Sequence, residues 1–282
     1  MRLLYPLAKR FIAGQRLEEA LPHVSALAAR GFRTTLDLLG ESVSDRRMAA
    51  VALDGYLQLI ETLHTCGLEC NISVKLTQLG LDIDRELAGT HLMRLVNAVA
   101  GVHGFLRVDM EGSAYTQATL DLVVAAHRSY PGVGTVLQAM LYRSEADVET
   151  LCRERVPIRL VKGAYKEPPA LAFQRKEEVD HHYVLLMERL FKMAEHPAIA
   201  THDERIVAHA LRLVTELGVS RTAFEFQMLY GIARQRQDQL LHDGWPVRIY
   251  VPYGNAWFAY VVRRLRERKE NLWFVAKHLF HK

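Results

Sequence analysis

Short apolar runs rich in β-branched and aromatic residues recur along the chain. Each is followed by a longer stretch with the apolar period of an amphipathic helix. The runs fall at Phe32–Leu38, Cys70–Leu76, Phe105–Met110, Gly134–Leu141, Pro157–Val161, Pro197–Thr201, Thr222–Gln227 and Val247–Val251. Helical patterning covers Arg46–Thr65, Thr90–Val102, Ala114–Ser129, Glu145–Glu154, Glu178–Ala194 and Glu204–Leu217. Eight such units at roughly 30-residue spacing predict an α/β chain closed into a (βα)8, TIM-like barrel. A doubly wound open sheet is the alternative, but no glycine fingerprint follows the first run. About 30 residues at the start and 15 at the end read as flanking helices by their periodicity. No low-complexity or charge-biased linker interrupts the pattern, so residues 1–282 read as one barrel domain.

Composition narrows this picture without changing it. In 282 residues, half of them hydrophobic, a sizeable core can be buried. A net charge of +4 is mildly basic and argues against a nucleic-acid partner. Cys66, Cys70 and Cys152 are too few for a disulfide framework, and no second ligand pair completes a zinc pattern. Neither Thr201–Asp203 nor His181–His182 completes a metal motif, so metal catalysis is not expected. The start, MRLLYPLAKRF, has too short an apolar stretch for a signal peptide, and no run approaches a membrane span. The expectation is a cytoplasmic protein, at most peripheral on a membrane.

In a (βα)8 barrel the chemistry sits where strands end. Polar residues gather there: Asp37 to Glu41, Lys75, Asp109 with Glu111, Gln138, Arg159 with Lys162, Thr201 to Asp203, Glu225 with Gln227, and Tyr250. Long ionisable side chains inside apolar strands are hard to explain by structure alone, since unpaired buried charge is costly.

The stretch after the eighth run is the most informative. On a helix, Tyr260, Arg263, Arg264 and Glu267 share one face. Two guanidiniums beside an aromatic ring suit a small carboxylate, each offering a planar donor fork. With Arg266, Arg268 and Lys269 nearby, a solvated basic face is the competing reading. Gly163 would let backbone approach a ligand, and Lys162 could neutralise a phosphate. Lys75 could be a Schiff-base lysine of a barrel lyase or a lysine snorkelling to solvent, and Lys162 shares the first option.

Taken in order, LDLLGE (36–41), SVKLTQLG (73–80), RVDMEG (107–112), VLQAML (136–141), RLVKGAY (159–165), ATHD (200–203), FEFQMLYG (224–231), RIYVPYG and YVVRRLRE (248–267) resemble the proline dehydrogenase family. The resemblance implies a distorted (βα)8 barrel whose last helix lies over the strand C-terminal ends. It also implies FAD as cofactor, oxidation of L-proline to Δ1-pyrroline-5-carboxylate, and a membrane quinone as electron acceptor. With a quinone partner, the aromatic and basic tail NLWFVAKHLFHK would suit peripheral contact with the inner face of the cytoplasmic membrane, or packing on the barrel. The length matches the short monofunctional type rather than the bifunctional relatives.

By motif, the resemblance has Lys75, Arg263 and Arg264 hold the proline carboxylate. Ala164, Tyr165, Leu229, Tyr250 and Tyr260 would wall the ring, with Tyr260 disfavouring hydroxyproline. Asp109 and Arg159 would be the catalytic pair, Arg159 also lying beside the flavin. Met110, Gln138, Val161, Lys162, Gly163, Ala164, Thr201, His202 and Glu267 would contact the cofactor, and Glu41 would gate the site by pairing with Arg263. Two departures stand out: Lys166 where relatives often carry Trp, and Asp203 where they often carry Asn. A proline sensor without turnover is the non-enzymatic alternative.

Overall fold

The computed structural model describes residues 5–267. Eight parallel strands close in sequence order into one barrel: β1 (Arg33–Leu38), β2 (Asn71–Val74), β3 (Phe105–Val108), β4 (Val133–Gln138), β5 (Ile158–Val161), β6 (Ala198–Ala200), β7 (Glu225–Leu229) and β8 (Val247–Tyr253). The seam pairs β1 with β8, from Arg33 opposite Arg248 to Leu38 opposite Tyr253. Two elements precede the barrel, α1 (Tyr5–Ala8) and α2 (Leu17–Ala29). The outer layer is α3 (Arg46–Thr65), α4 (Arg85–Gly101), α5 (Ser113–Ser129), α6 (Ser144–Arg153), α7 (Lys176–Met193), α8 (Glu204–Glu216) and α9 (Arg234–His242), and α10 (Trp257–Glu267) follows β8.

The strands alternate because the barrel has two different faces. Leu36, Ile72, Val74, Leu106, Val108, Ile158, Leu160, Phe226, Ile249 and Val251 are buried in one large cluster with the helices' apolar stripes. The intervening positions, among them Ser73, Arg159 and Gln227, are buried too, but bond one another across the barrel. Arg159 spans the interior, donating to Ser73 Oγ at 3.1 Å, to Gln227 Oε1 and to Asp109 Oδ1 at 2.8 Å. Desolvating these groups would be costly were they not paired with one another. The barrel is filled by a hydrogen-bonded polar core rather than by layers of aliphatic side chains.

Local signals fix the helix starts. Asp45, Asp84 and Asp203 are N-caps, each accepting a hydrogen bond from the backbone two residues on, at 2.8, 2.9 and 3.1 Å. At the other end of the chain, α10 is held by a second apolar cluster. Trp257, Tyr260 and Val261 pack there with Ala8, Phe11 and Ile12 of the N-terminal segment, with Leu39 after β1 and with Ile232 after β7. That packing lays α10 against the C-terminal ends of strands, as the sequence reading expected.

The limits of several strands differ from that reading. The seventh runs from Glu225 to Leu229, three residues later at its start than the expected Thr222. Glu225 therefore opens its strand and faces Arg248 and Arg33 at the opposite mouth, rather than joining the polar groups at strand ends. The apolar alternation of TAFEFQML is compatible with either start; a 3-10 turn at Arg221–Ala223, capped by Ser220, decides it. Glu267 ends α10, but its side chain and the tail from 268 lie outside the described residues.

Candidate active site

A cavity of about 570 Å³ opens at the C-terminal mouth. Its lining includes Lys75, Asp109, Met110, Gln138, Arg159 and Val161, together with Lys162 to Tyr165 from the loop after β5. Thr201, His202, Leu229, Tyr250, Tyr260, Arg263 and Arg264 complete the residues the sequence reading had selected. Of that selection only Glu41, which meets Arg263 at the rim, and Glu267, whose side chain is not described, are not part of the lining.

The floor of the cavity is ionic. Lys75 Nζ lies 3.0 and 3.1 Å from the two oxygens of Asp37, which has no exposed surface, and 4.0 Å from Asp109. Burial alone would lower the lysine's pKa, but Asp37 and Asp109 carry it above the ordinary value. The same burial pushes the Asp37 carboxyl up, with Lys75 opposing the rise. Lys75 is thus held as an ammonium, whereas Schiff-base chemistry needs a free amine. Asp109 shares its other bonds between Arg159 Nη1 and the Tyr250 hydroxyl, both at 2.8 Å. Burial first, then Asp109, raises the Tyr250 phenol well above its usual value, so it serves as a donor.

The rim carries the arginine pair. Both terminal nitrogens of Arg263 lie 3.4 Å from Glu41 Oε2, and its guanidinium stands 5.6 Å from the Tyr165 ring centre. Arg264 lies 5.4 Å from the Tyr260 ring centre. Burial pushes the Tyr165 phenol up to about 12, with Arg263 opposing. The expected four-residue face is thus present in three members, and two aromatic rings flank its cations.

The far end is a box of two lysines and two carboxylates. Lys162 Nζ bonds Asp180 and, at 2.8 Å, Asp203; Lys176 Nζ bonds Asp180 and approaches Asp203 at 3.4 Å. Burial would raise the Asp203 carboxyl, but the Lys162 contact holds it down at about 2. Gly163 turns with φ +111° beside Met140, whose sulfur would stand 2.4 Å from any added Cβ. His202 Nε2 accepts the Leu229 N–H at 2.9 Å, which fixes the end of β7 against the cavity. Sequence reasoning missed Asp37 as Lys75's partner, and missed Lys176, Asp180 and the apolar liners Val136, Met228 and Ile232. Lys176 and Asp180 sit four apart at the start of a helix, which reads as an ordinary surface pair.

An apolar strip of Met110, Val136, Val161 and Met228, with Gln138 and Arg159 as polar donors and lysines beyond, fits a flavin: a planar ring needs an apolar bed with polar edges. Fold and site together define an α/β-barrel enzyme with a cation-lined pocket at the strand ends.

A family model for proline dehydrogenase matches residues 20–277. Proline dehydrogenase 1 of Bacillus subtilis is 37% identical over 275 residues, covering 98% of this chain and 91% of the relative. The proline dehydrogenase of Deinococcus radiodurans is 39% identical over 279 residues, covering 97% and 90%. Among solved structures, proline utilization A from Bdellovibrio bacteriovorus, inactivated by N-propargylglycine, superposes with a TM-score of 0.86 at 27% identity. That match covers 93% of this chain but 32% of the other, so this chain spans about a third of that protein. The chain belongs to the proline dehydrogenase family, the oxidoreductases of the first step of proline catabolism. With the family come proline as substrate and a flavin as cofactor.

Proposed function

We propose that this chain, working as a single barrel unit, oxidises L-proline to Δ1-pyrroline-5-carboxylate with FAD and passes the electrons to a membrane quinone. The reading is supported above all by the convergence of Lys75, Arg263 and Arg264 on one cavity at the strand ends. Arg263 and Arg264 offer donor forks to the substrate carboxylate, and Lys75 adds an ammonium whose charge Asp37 already balances. Three aromatic walls, Tyr165, Tyr250 and Tyr260, and the aliphatic Leu229 and Ala164 enclose a saturated ring and exclude water from it.

Asp109 orients the site's centre by holding Arg159 and Tyr250 at once. Arg159 would stand beside the redox-active ring, where a cation favours the reduced, more anionic state. Met110, Val161 and Gln138 would bed the ring; Gly163, Ala164, Thr201 and His202 would follow the ribityl chain, and Lys162 the pyrophosphate. A flavin held by these residues would supply the two-electron acceptor for the hydride leaving proline C5. The remaining chemistry of the chain is positional, and close approach of donor to acceptor is what positioning supplies. Glu41 would gate the site by clamping Arg263 over the bound carboxylate.

Turnover tests the reading. Purified protein given FAD, proline and a soluble quinone should form a product trapped by o-aminobenzaldehyde, and should reduce the quinone in step. Proline binding without quinone reduction would instead indicate a sensor. A quinone-dependent reaction does not require membrane attachment; among the described residues no helix is long and apolar enough to cross a membrane.

A further inference from the structure

The Glu41 carboxylate reaches Arg263 from a short irregular loop, and the shape of that loop is imposed from below. Ser42 adopts φ +54°, a left-handed conformation that side chains rarely take. Its N–H donates to Thr77 Oγ1 at 2.9 Å, and the next N–H, of Val43, donates to the Thr77 carbonyl at 3.2 Å. Gly40 lies so close over Gln78 that an added Cβ would meet the amide nitrogen at 2.4 Å. Gln78 in turn donates to the Leu38 carbonyl at 3.0 Å. The loop is therefore stapled at Leu38, Ser42 and Val43, on both sides of Glu41.

Thr77 is itself held by Glu111. The Thr77 N–H donates to Glu111 Oε2 at 3.1 Å, and its hydroxyl donates to Oε1 at 2.5 Å. A hydroxyl has one proton, so once that proton points at Glu111 the oxygen must face Ser42 as an acceptor. Thr77 is fully buried and Glu111 nearly so. Neither lines the cavity, and Glu111 has no part in the assigned chemistry.

We propose that Glu111, acting through Thr77, is a positioning residue that holds the Ser42 turn and thereby keeps the Glu41 carboxylate against Arg263. The inference rests on the reading of Glu41 as the gate. It adds two buried residues, 34 positions apart, that set how firmly the gate closes.

A double-mutant cycle on the FAD-loaded protein tests it, with the KM for proline as readout. Thr77→Val deletes the hydroxyl and keeps the shape; Thr77→Ser keeps the hydroxyl. Thr77→Val should raise KM about three- to tenfold with kcat within about twofold, and Thr77→Ser should restore the starting value. In a Glu41→Gln background, Thr77→Val should add almost nothing, because the group it positions is already disabled. An equal effect of Thr77→Val in both backgrounds, or no restoration by Thr77→Ser, overturns the inference. A Glu41→Gln variant with unchanged KM instead overturns the gate itself, and that single variant is read first. Thermal melts establish that each variant is folded. Should Thr77→Val not fold, Glu111→Gln takes its place in the same cycle with the same expected non-additivity.

Discussion

The ammonium of Lys75 is chelated by both oxygens of Asp37, at 3.0 and 3.1 Å, beneath the cavity it lines. This pair sets the charge of the site's floor. Arg159 on Asp109 and Arg263 on Glu41 follow the same pattern, so these three cations each hold a carboxylate before any ligand arrives. Substrate therefore meets arranged ion pairs, not bare positive charge.

Lys75→Met should leave Asp37 as an uncompensated buried charge, at a cost of about 3–5 kcal/mol in unfolding free energy. Lys75→Met with Asp37→Asn should recover most of that loss. Urea midpoints at constant m-value measure both. The same pairing predicts that borohydride with a carbonyl compound leaves Lys75 unmodified, as mass spectrometry of the digested protein would record.

Tyr250 donates to Asp109, and its pKa lies well above the usual tyrosine value through burial and that carboxylate. The proton thus stays on the phenol through pH 10. Tyr250→Phe should lower kcat/KM about ten- to a hundredfold, the worth of one hydrogen bond to a charged group. It should leave the alkaline limb of the pH profile where it was. A limb that disappears in Tyr250→Phe would make the phenol a titrating acid.

Asp203 is held at about 2 by Lys162 against the effect of its burial. A depressed carboxyl pKa means the folded state binds fewer protons than the unfolded one. Its contribution to stability is complete above the unfolded value near 4, and is lost as pH falls toward 2. The Tm difference between the wild-type protein and Asp203→Asn, which still caps α8, should be constant at neutral pH and shrink below pH 4. A difference that persists unchanged at pH 2 would count against the lysine pairing.

Tyr260 is buried beside the cavity, so a hydroxylated ring would have to place its oxygen against an aromatic wall. Proline should exceed hydroxyproline in kcat/KM by at least about tenfold, and Tyr260→Ser should narrow the ratio. Equal turnover of the two substrates by the wild-type protein would contradict this role.

Much of this architecture is legible in the sequence. The limits of α3, Arg46 to Thr65, follow directly from its apolar period and the Asp45 cap. The short parallel strands are recognisable as runs, but their ends are not, because apolar residues continue into the turns. The second run was expected to reach Leu76, yet the strand stops at Val74, and Leu76 and Leu79 are buried in the turn beyond. α9 was not singled out because RQRQDQLLH is almost wholly polar and buries Gln237 and Leu240. The cavity residues could be selected by family motif. Their pairings could not: Asp37, Thr77 and Glu111 lie within the same motifs, but which of them bonds Lys75, and which holds the Glu41 loop, shows only once the barrel closes. Charge pairing across strands depends on which strands become neighbours and in what register, and no single run carries that information by itself.

The central claim, a flavin and proline meeting in this cavity, is tested most directly by the absorption spectrum of the FAD-loaded protein before and after anaerobic proline. The account predicts a bound-flavin band near the visible blue that bleaches on adding proline without any nicotinamide, and bleaches far more slowly in Arg263→Ala. A protein that cannot be loaded with FAD, or whose flavin band is untouched by saturating proline, would contradict it.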